Sequence, residues 1–241
     1  MKCLVKTLIT LAVIGIFAIT SNVVYADTKT TAKRHKYFKI NNTPERTLGL
    51  FGPVTYDITD LLVTELLFLN AIDDKRPIVL VLNTPGGYVG AGNNLILAMK
   101  SIQAPVICVV QGSAYSMGAA IASHCPSLYV SQYADLMFHM AQYGVSGYEH
   151  HIESRVKHFA NMSRIFHGDL ARLLGLQYDD YIAKAKDELW FTADQAFDNG
   201  VAEGVLQSFF WVCPDMFKSY MGNIYNCTDD RCEGDFLYIT R

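Results

Sequence analysis

Residues Pro105–His124 read PVICVVQGSAYSMGAAIASH, and the fold turns on how that stretch divides. Pro105–Val110 is a continuous apolar, β-branched run of strand length, and Met117–His124 is a run of small apolar residues suited to a helix. Between them lies GSAYSMG, residues 112–118, in which Gly112 and Gly118 frame small side chains and the hydroxyl of Ser116. A turn accounts for the glycines. A nucleophile on a strand-to-helix bend accounts for the serine as well, because small neighbours let a substrate carbonyl approach.

The same alternation extends outward. Thr47–Phe51 is a short apolar strand, and Asp57–Ile72 has apolar residues at 58, 61, 62, 66, 69 and 72, a helical period with Asp57 or Thr59 as N-cap. Pro77–Leu82 is a second continuous β run, followed by Asn83-Thr84-Pro85-Gly86-Gly87, and Ala91–Ile102 is helical. Leu128–Ser131 and Asp135–Met140 (DLMFHM) are strands. The order β-α-β-α-β-α-β with fully apolar strands predicts an α/β fold, parallel pairing and helices packed on the sheet. Beyond a glycine-framed loop, Gly144–Gly147, the segment Tyr148–Leu174 predicts a long amphipathic helix. Ile152, Val156, Phe159, Phe166, Leu170 and Leu173 form its stripe. That length exceeds what a compact domain needs and predicts a projecting arm that packs on another subunit.

The N-terminus predicts the compartment. Lys2 and Lys6 precede the apolar run Leu8–Ile19, and Val24-Tyr25-Ala26 offers small residues for cleavage after Ala26, so residues 1–26 read as a secretory signal peptide. An uncleaved membrane anchor is the alternative. Residues 27–46 form a polar arm with a basic stretch, Lys33–Lys39; residues 47–211 are one domain; residues 212–241 are a Cys- and Tyr-rich extension. The whole chain carries a formal charge of −3, and removal of two lysines makes it more acidic, which argues against nucleic acid as a partner.

Cysteines 108, 125, 213, 227 and 232 remain after cleavage. Export permits disulfides. Cys227 and Cys232 bracket a polar loop and read as a pair, whereas Cys108 and Cys125 lie on core-like segments and read as small hydrophobes. No CxxC or zinc-type spacing appears, and no metal or cofactor is implied.

For Ser116 to act it needs a base, an acid and an oxyanion hole. His139, in an otherwise apolar strand, reads either as a satisfied core histidine or as a base facing the crevice at a strand's C-terminal end. Pro85-Gly86-Gly87 is either an ordinary turn or a source of backbone N–H groups with no Cβ in the way. His150, His151 and His158 on the long helix are a weak metal candidate, and His124, His167 and His35 show no partner in sequence.

Taken in order, LFGPV…LLFLNA, VLNTPGGYVGAG, GSAYSMGAA, LMFHMAQYGVSG and WFTADQAFDNGVAEGV resemble the Clp protease proteolytic subunit family, ClpP, and its ClpP/crotonase-type relatives. The likeness runs from about Leu48 to Leu206 and includes the whole G-x-A-x-S-M-G nucleophile motif. It implies repeated β-α units and a "handle" helix that joins rings. It implies Ser116 as nucleophile, His139 as base and the N–H groups of Gly87 and Met117 as oxyanion donors. Substrate would lie as an added strand beside Gly144–Gly147. The family's acid is an aspartate two residues before an aromatic; here that position is Glu188 in KDELWF, with Asp187 beside it. The resemblance leaves three alternatives: Glu188 as the acid, Asp187 as the acid, or an imperfect triad.

The family's usual partner is an ATP-driven unfoldase in the cytosol, and an exported chain has no such partner. The expectation is a homo-oligomeric serine peptidase, periplasmic or secreted, that cleaves peptides and unfolded chains without ATP. Its rivals are a catalytically inactive secreted scaffold of the same fold and a crotonase-type acyl-CoA enzyme. The latter has no need of Ser116 and His139 together.

Overall fold

Apolar runs too continuous to alternate need cover on both faces, and they form the centre of the sheet. The computed structural model describes residues 37–38 and 44–207. The signal segment, most of the basic arm, the extension 212–241 and Cys213, Cys227 and Cys232 lie outside the described residues. The elements are β1 (Tyr37–Phe38), β2 (Thr47–Phe51), α1 (Tyr56–Ile72), β3 (Ile78–Thr84), α2 (Val89–Ser101), β4 (Val106–Tyr115), α3 (Met117–Ser123), β5 (Ser127–Ser131), β6 (Asp135–Phe138), α4 (Glu149–Leu173), α5 (Tyr178–Lys186), β7 (Leu189–Thr192), α6 (Ala193–Asp198) and β8 (Gly204–Leu206). The eight-stranded sheet runs β1-β8-β5-β4-β3-β2, with β6 paired to the far end of β4 and β7 paired to β6. Every pairing is parallel except β6–β7, which is antiparallel, so the expected parallel architecture holds with one reversed strand at its rim.

Residues Ile78–Leu82 of β3 are fully buried, as are Cys108, Val109 and Val110 of β4. Alternate residues point to opposite faces. Leu48, Leu50, Leu80, Leu82 and Val110 join the helices in the main core, while Val79, Val81, Val109, Tyr129 and Leu206 cluster on the other face. The N-cap of α1 is Thr55, whose Oγ1 accepts the Ile58 N–H at 3.5 Å. Neither Asp57 nor Thr59 caps it. Thr59 is buried, and its hydroxyl donates back to the carbonyls of Thr55 and Tyr56.

Two strands differ in extent from the sequence reading. β4 does not end at Val110 but continues to Tyr115, because a register slip between Leu82 and Thr84 of β3 and pairing with β6 carry it past the polar residues Gln111–Ser113. Gly112 thus lies inside a strand, where a Cβ would meet Asn83 Oδ1 at 2.8 Å. β6 ends at Phe138, leaving His139 and Met140 just beyond it.

α4 is as long as expected, 25 residues, but its stripe divides. Its buried residues, His167, Leu170 and Ala171, all fall near its C-terminal end. Val156, Met162 and Ile165 are exposed, Ile165 at 66 %. The helix therefore projects. No helix of the described residues is long and apolar enough to cross a membrane.

Cys108 and Cys125, read above as small hydrophobes, form a disulfide with Cα atoms 6.0 Å apart. The reason is topological. α3 is only seven residues long, so the chain that leaves β4 at Ser116 returns over the sheet and ends beside Cys108. Closing a loop of that length stabilises by about 3 kcal/mol in the chain-entropy account. Reduction, or a Cys125→Ala change, is expected to lower Tm by on the order of 10 °C for a domain of this size. A melting curve unchanged by reductant would show that the bond contributes nothing.

Candidate active site

Ser116 sits where β4 stops and α3 starts. Its backbone has φ 53° and ψ −117°, a left-handed conformation that costs a non-glycine residue roughly 1–3 kcal/mol. The surroundings impose it. The Ser116 N–H donates to the Met137 carbonyl of β6 at 2.7 Å, while its own carbonyl accepts the Ala120 N–H and begins the helix. The strand and the helix thus pin both sides of one half-buried residue.

The Pro-Gly-Gly turn after β3 lies against this bend. Gly86 has φ +91°, and a Cβ there would meet the Tyr115 carbonyl at 2.5 Å, Ser116 Cβ at 2.8 Å and Met117 N at 3.0 Å. Only glycine lets the turn come so close. The Val54 N–H donates to the Gly86 carbonyl and the Tyr88 N–H to the Val54 carbonyl, which fixes the turn. The N–H groups of Gly87 and Met117 enter none of these bonds. Both residues line a cavity of about 400 Å³ shared with Ser116 and His139 and walled by Met137, Phe138, Phe166, Leu170 and Tyr181.

His139 is half-buried, one residue past the end of β6. Strand termination leaves it outside the ladder, where it lines the cavity. Two residues on, the Ala141 N–H donates to Nε2 of His167 at 3.3 Å. His167 is fully buried on α4, and its titration lies below the ordinary 6.5 because burial disfavours the cation and His139 adds a nearby like charge.

Neither Asp187 nor Glu188 lines the cavity. Asp187 caps α5 and is exposed; Glu188 is exposed, with φ 62° at the bend into β7. Glu188 Oε2 accepts the Trp190 indole N–H at 3.2 Å, and the Trp190 ring meets Tyr115 edge-on at 5.2 Å. Tyr115 in turn donates to Asp135 Oδ1 at 2.9 Å, across the β4–β6 pair, and its hydroxyl titrates above its ordinary value through burial and the neighbouring carboxylate. Register still separates the two acids. The β6–β7 ladder runs from Asp135–Thr192 to Phe138–Leu189 and stops there, so His139 and Glu188 each lie one residue beyond its last pair, with Asp187 one residue further back.

Gly144 and Gly147 lie in the exposed irregular segment between β6 and α4. Tyr143 stacks on Phe159 at 5.0 Å, and Arg155 donates to the Ser146 carbonyl at 2.7 Å, which ties the loop to the projecting helix. Among the described residues no group of three or more His, Cys, Asp or Glu side chains converges to hold a metal; His150 and His151 instead contact each other and Tyr148. The sequence reading named Ser116, His139, Gly87 and Met117, which share the cavity. His167 had no partner there and Tyr115, Tyr181 and Trp190 no role, since the Tyr115–Trp190, Tyr115–Asp135 and His167–Tyr181 contacts join separate elements.

The family model for the Clp protease matches residues 32–209. The chain is 31% identical over 173 residues to the ATP-dependent Clp protease proteolytic subunit 3 of Rhodococcus jostii (strain RHA1), covering 70% of this chain and 85% of that one. It is 29% identical over 166 residues to the ATP-dependent Clp protease proteolytic subunit of Streptococcus pneumoniae (strain Hungary19A-6), covering 67% of this chain and 85% of the relative. The match spans the parallel sheet, the glycine turn, the serine bend and the long helix, and the chain belongs to the Clp protease family.

Proposed function

We propose that this protein is an exported serine peptidase that hydrolyses short or unfolded polypeptides through an acyl-enzyme, without ATP. The observation that carries the reading is one cavity shared by Ser116 on its strained bend, His139 and two uncommitted N–H groups. His139 takes the Ser116 proton as Oγ attacks the peptide carbonyl, and the N–H groups of Gly87 and Met117 stabilise the oxyanion. The protonated imidazole then gives its proton to the leaving amine. His139 next removes a proton from water, whose oxygen attacks the acyl-enzyme; the imidazolium then returns that proton to Ser116 Oγ as the C–O bond breaks and the carboxylic acid product leaves. Glu188, or Asp187, orients the imidazole. No cofactor or metal enters these steps.

Substrate lies extended beside Gly144–Gly147, where exposed, irregular backbone can accept an added strand. The exposed apolar residues of α4 support assembly into a homo-oligomeric ring or stacked rings. Export is supported by the signal-type N-terminus and by the Cys108–Cys125 disulfide, a bond that persists in oxidising compartments. Outside the cytosol an ATP-driven unfoldase has no fuel, so substrates must reach Ser116 by diffusion.

The test is a parallel digestion, with and without ATP, of a fluorogenic peptide, an unfolded casein-like protein and a stable globular domain. The peptide and the unfolded protein are expected to be cleaved equally in both arms, and the stable domain spared. Rapid cleavage of the stable domain, or a need for ATP and a second protein, would overturn the reading. The Glu188–Trp190 bond favours the inactive scaffold as the second reading, since it leaves that carboxylate turned from His139. Absence of cleavage together with absence of labelling by a fluorophosphonate would select it.

A further inference from the structure

α4 enters the core near its C-terminal end, and His167 is sealed there with both ring nitrogens engaged. Nε2 accepts the Ala141 backbone N–H at 3.3 Å, and Nδ1 lies 3.2 Å from the Tyr181 hydroxyl. A backbone N–H only donates, so Nε2 carries no proton; the ring proton sits on Nδ1 and is donated to Tyr181. One tautomer is thereby fixed. Ala141 lies two residues beyond His139, in a segment with no strand partner. Tyr181, fully buried on α5, lines the cavity that His139 faces.

We propose that His167, anchored by Tyr181, is a positioning residue for His139: it holds the backbone after His139 so that the imidazole stays at the cavity beside Ser116. This rests on the reading of His139 as the base. The arrangement works only while His167 is neutral. A proton on Nε2 would set two donors against each other at Ala141 and place a cation near the imidazolium that forms on His139. The titratable groups facing His167 are Tyr181 from α5 and His139 from the segment after β6. His124, at the end of α3, is engaged with Asp169 at 2.7 Å, and Asp169 also pairs with Arg172.

Burial lowers the His167 titration in the folded state below the ordinary 6.5. The unfolded chain then binds this proton first as pH falls. Stability linked to His167 is full above about 6.5 and declines as pH drops below it, until the folded value is passed.

The test uses the full chain with His167→Gln, His167→Leu, Tyr181→Phe and His139→Ala, reading kcat and KM on a fluorogenic peptide against pH, fluorophosphonate labelling rate and Tm. His167→Leu removes the acceptor at similar volume and is expected to lower kcat by about 10²-fold with KM little changed, as for a displaced catalytic group. His167→Gln restores an acceptor and should recover most of that loss, while the acid limb of kcat loses the contribution of proton uptake at His167. Equal activity in the Leu and Gln variants, or a kcat unmoved by either, would overturn the proposal. If His167→Leu does not fold, Tyr181→Phe decides. It removes the acceptor for Nδ1–H, so kcat should drop about 10-fold and the acid limb should shift; an unchanged profile would overturn the proposal equally. The two readings fail separately. Undiminished labelling in His139→Ala removes the base, whereas lost labelling there with intact kcat in His167→Leu removes only the positioning role.

Discussion

Ser116→Ala is expected to abolish fluorophosphonate labelling and peptide cleavage while leaving the fold and its melting temperature in place. The local geometry makes this a clean change. The Ser116 hydroxyl lines the cavity, and the hydrogen bonds that hold this bend all run through its backbone, so removing Oγ breaks none of them. Alanine keeps the Cβ, and with it the same cost of the positive φ. Loss of a serine nucleophile in such a constellation reduces turnover by about 10⁶-fold, leaving only what oxyanion stabilisation and binding supply. Ser113 is the nearby competitor, but its hydroxyl donates to Asn83 Oδ1 at 3.2 Å, and it does not line the cavity. Ser113→Ala should therefore label like the parent. Labelling that survives Ser116→Ala and disappears with Ser113→Ala would move the nucleophile three residues upstream.

The sequence made the central strands legible because they are buried on both faces. Residues such as Ile78–Leu82 cannot alternate when neither face meets water, and their continuous apolar run marks parallel strands. The last part of β4 escaped for the converse reason. Gln111, Gly112 and Ser113 follow a slip in register, and what holds them is a bulge and a second partner strand, neither of which leaves a local pattern. The bend at Ser116 was legible because a strained strand-to-helix turn needs small residues at fixed positions close to it. The histidine was half legible: its type is visible, but whether it lies in the strand or just past it depends on where the ladder with β7 stops.

The disulfide and the His167–Tyr181 contact were not legible at all. Cys108 and Cys125 look like core residues because they are, and only the short return of α3 over the sheet brings them together. His167 lies off the apolar stripe read from the sequence, yet it is buried near the C-terminal end of α4. Its partners come from the loop after β6 and from α5, and chain order carries no trace of either contact.

The acid is where sequence and structure must be used jointly, and Glu188→Gln is expected to lower kcat by as much as about 10⁴-fold, the scale for an orienting carboxylate replaced by its amide. Spacing before an aromatic residue points to Glu188, which adjoins the last pair of the β6–β7 ladder, as His139 does, while Asp187 belongs to the end of α5. Glutamate has one more methylene than the aspartate it replaces, enough freedom for its Oε2 to reach Trp190 instead. Catalysis would then require the carboxylate to leave the indole for the imidazole, a rotation on one exposed side chain. Glutamine still offers an oxygen to the Trp190 N–H, so the substitution preserves that contact and removes only the charge that holds the imidazole in the required tautomer. Asp187→Asn should do little, since it changes a cap on the wrong side of the register. The measurement is kcat on a fluorogenic peptide for the two amide variants at matched Tm. The reverse result would transfer the role to Asp187, and indifference to both changes would leave Ser116 and His139 working as a dyad.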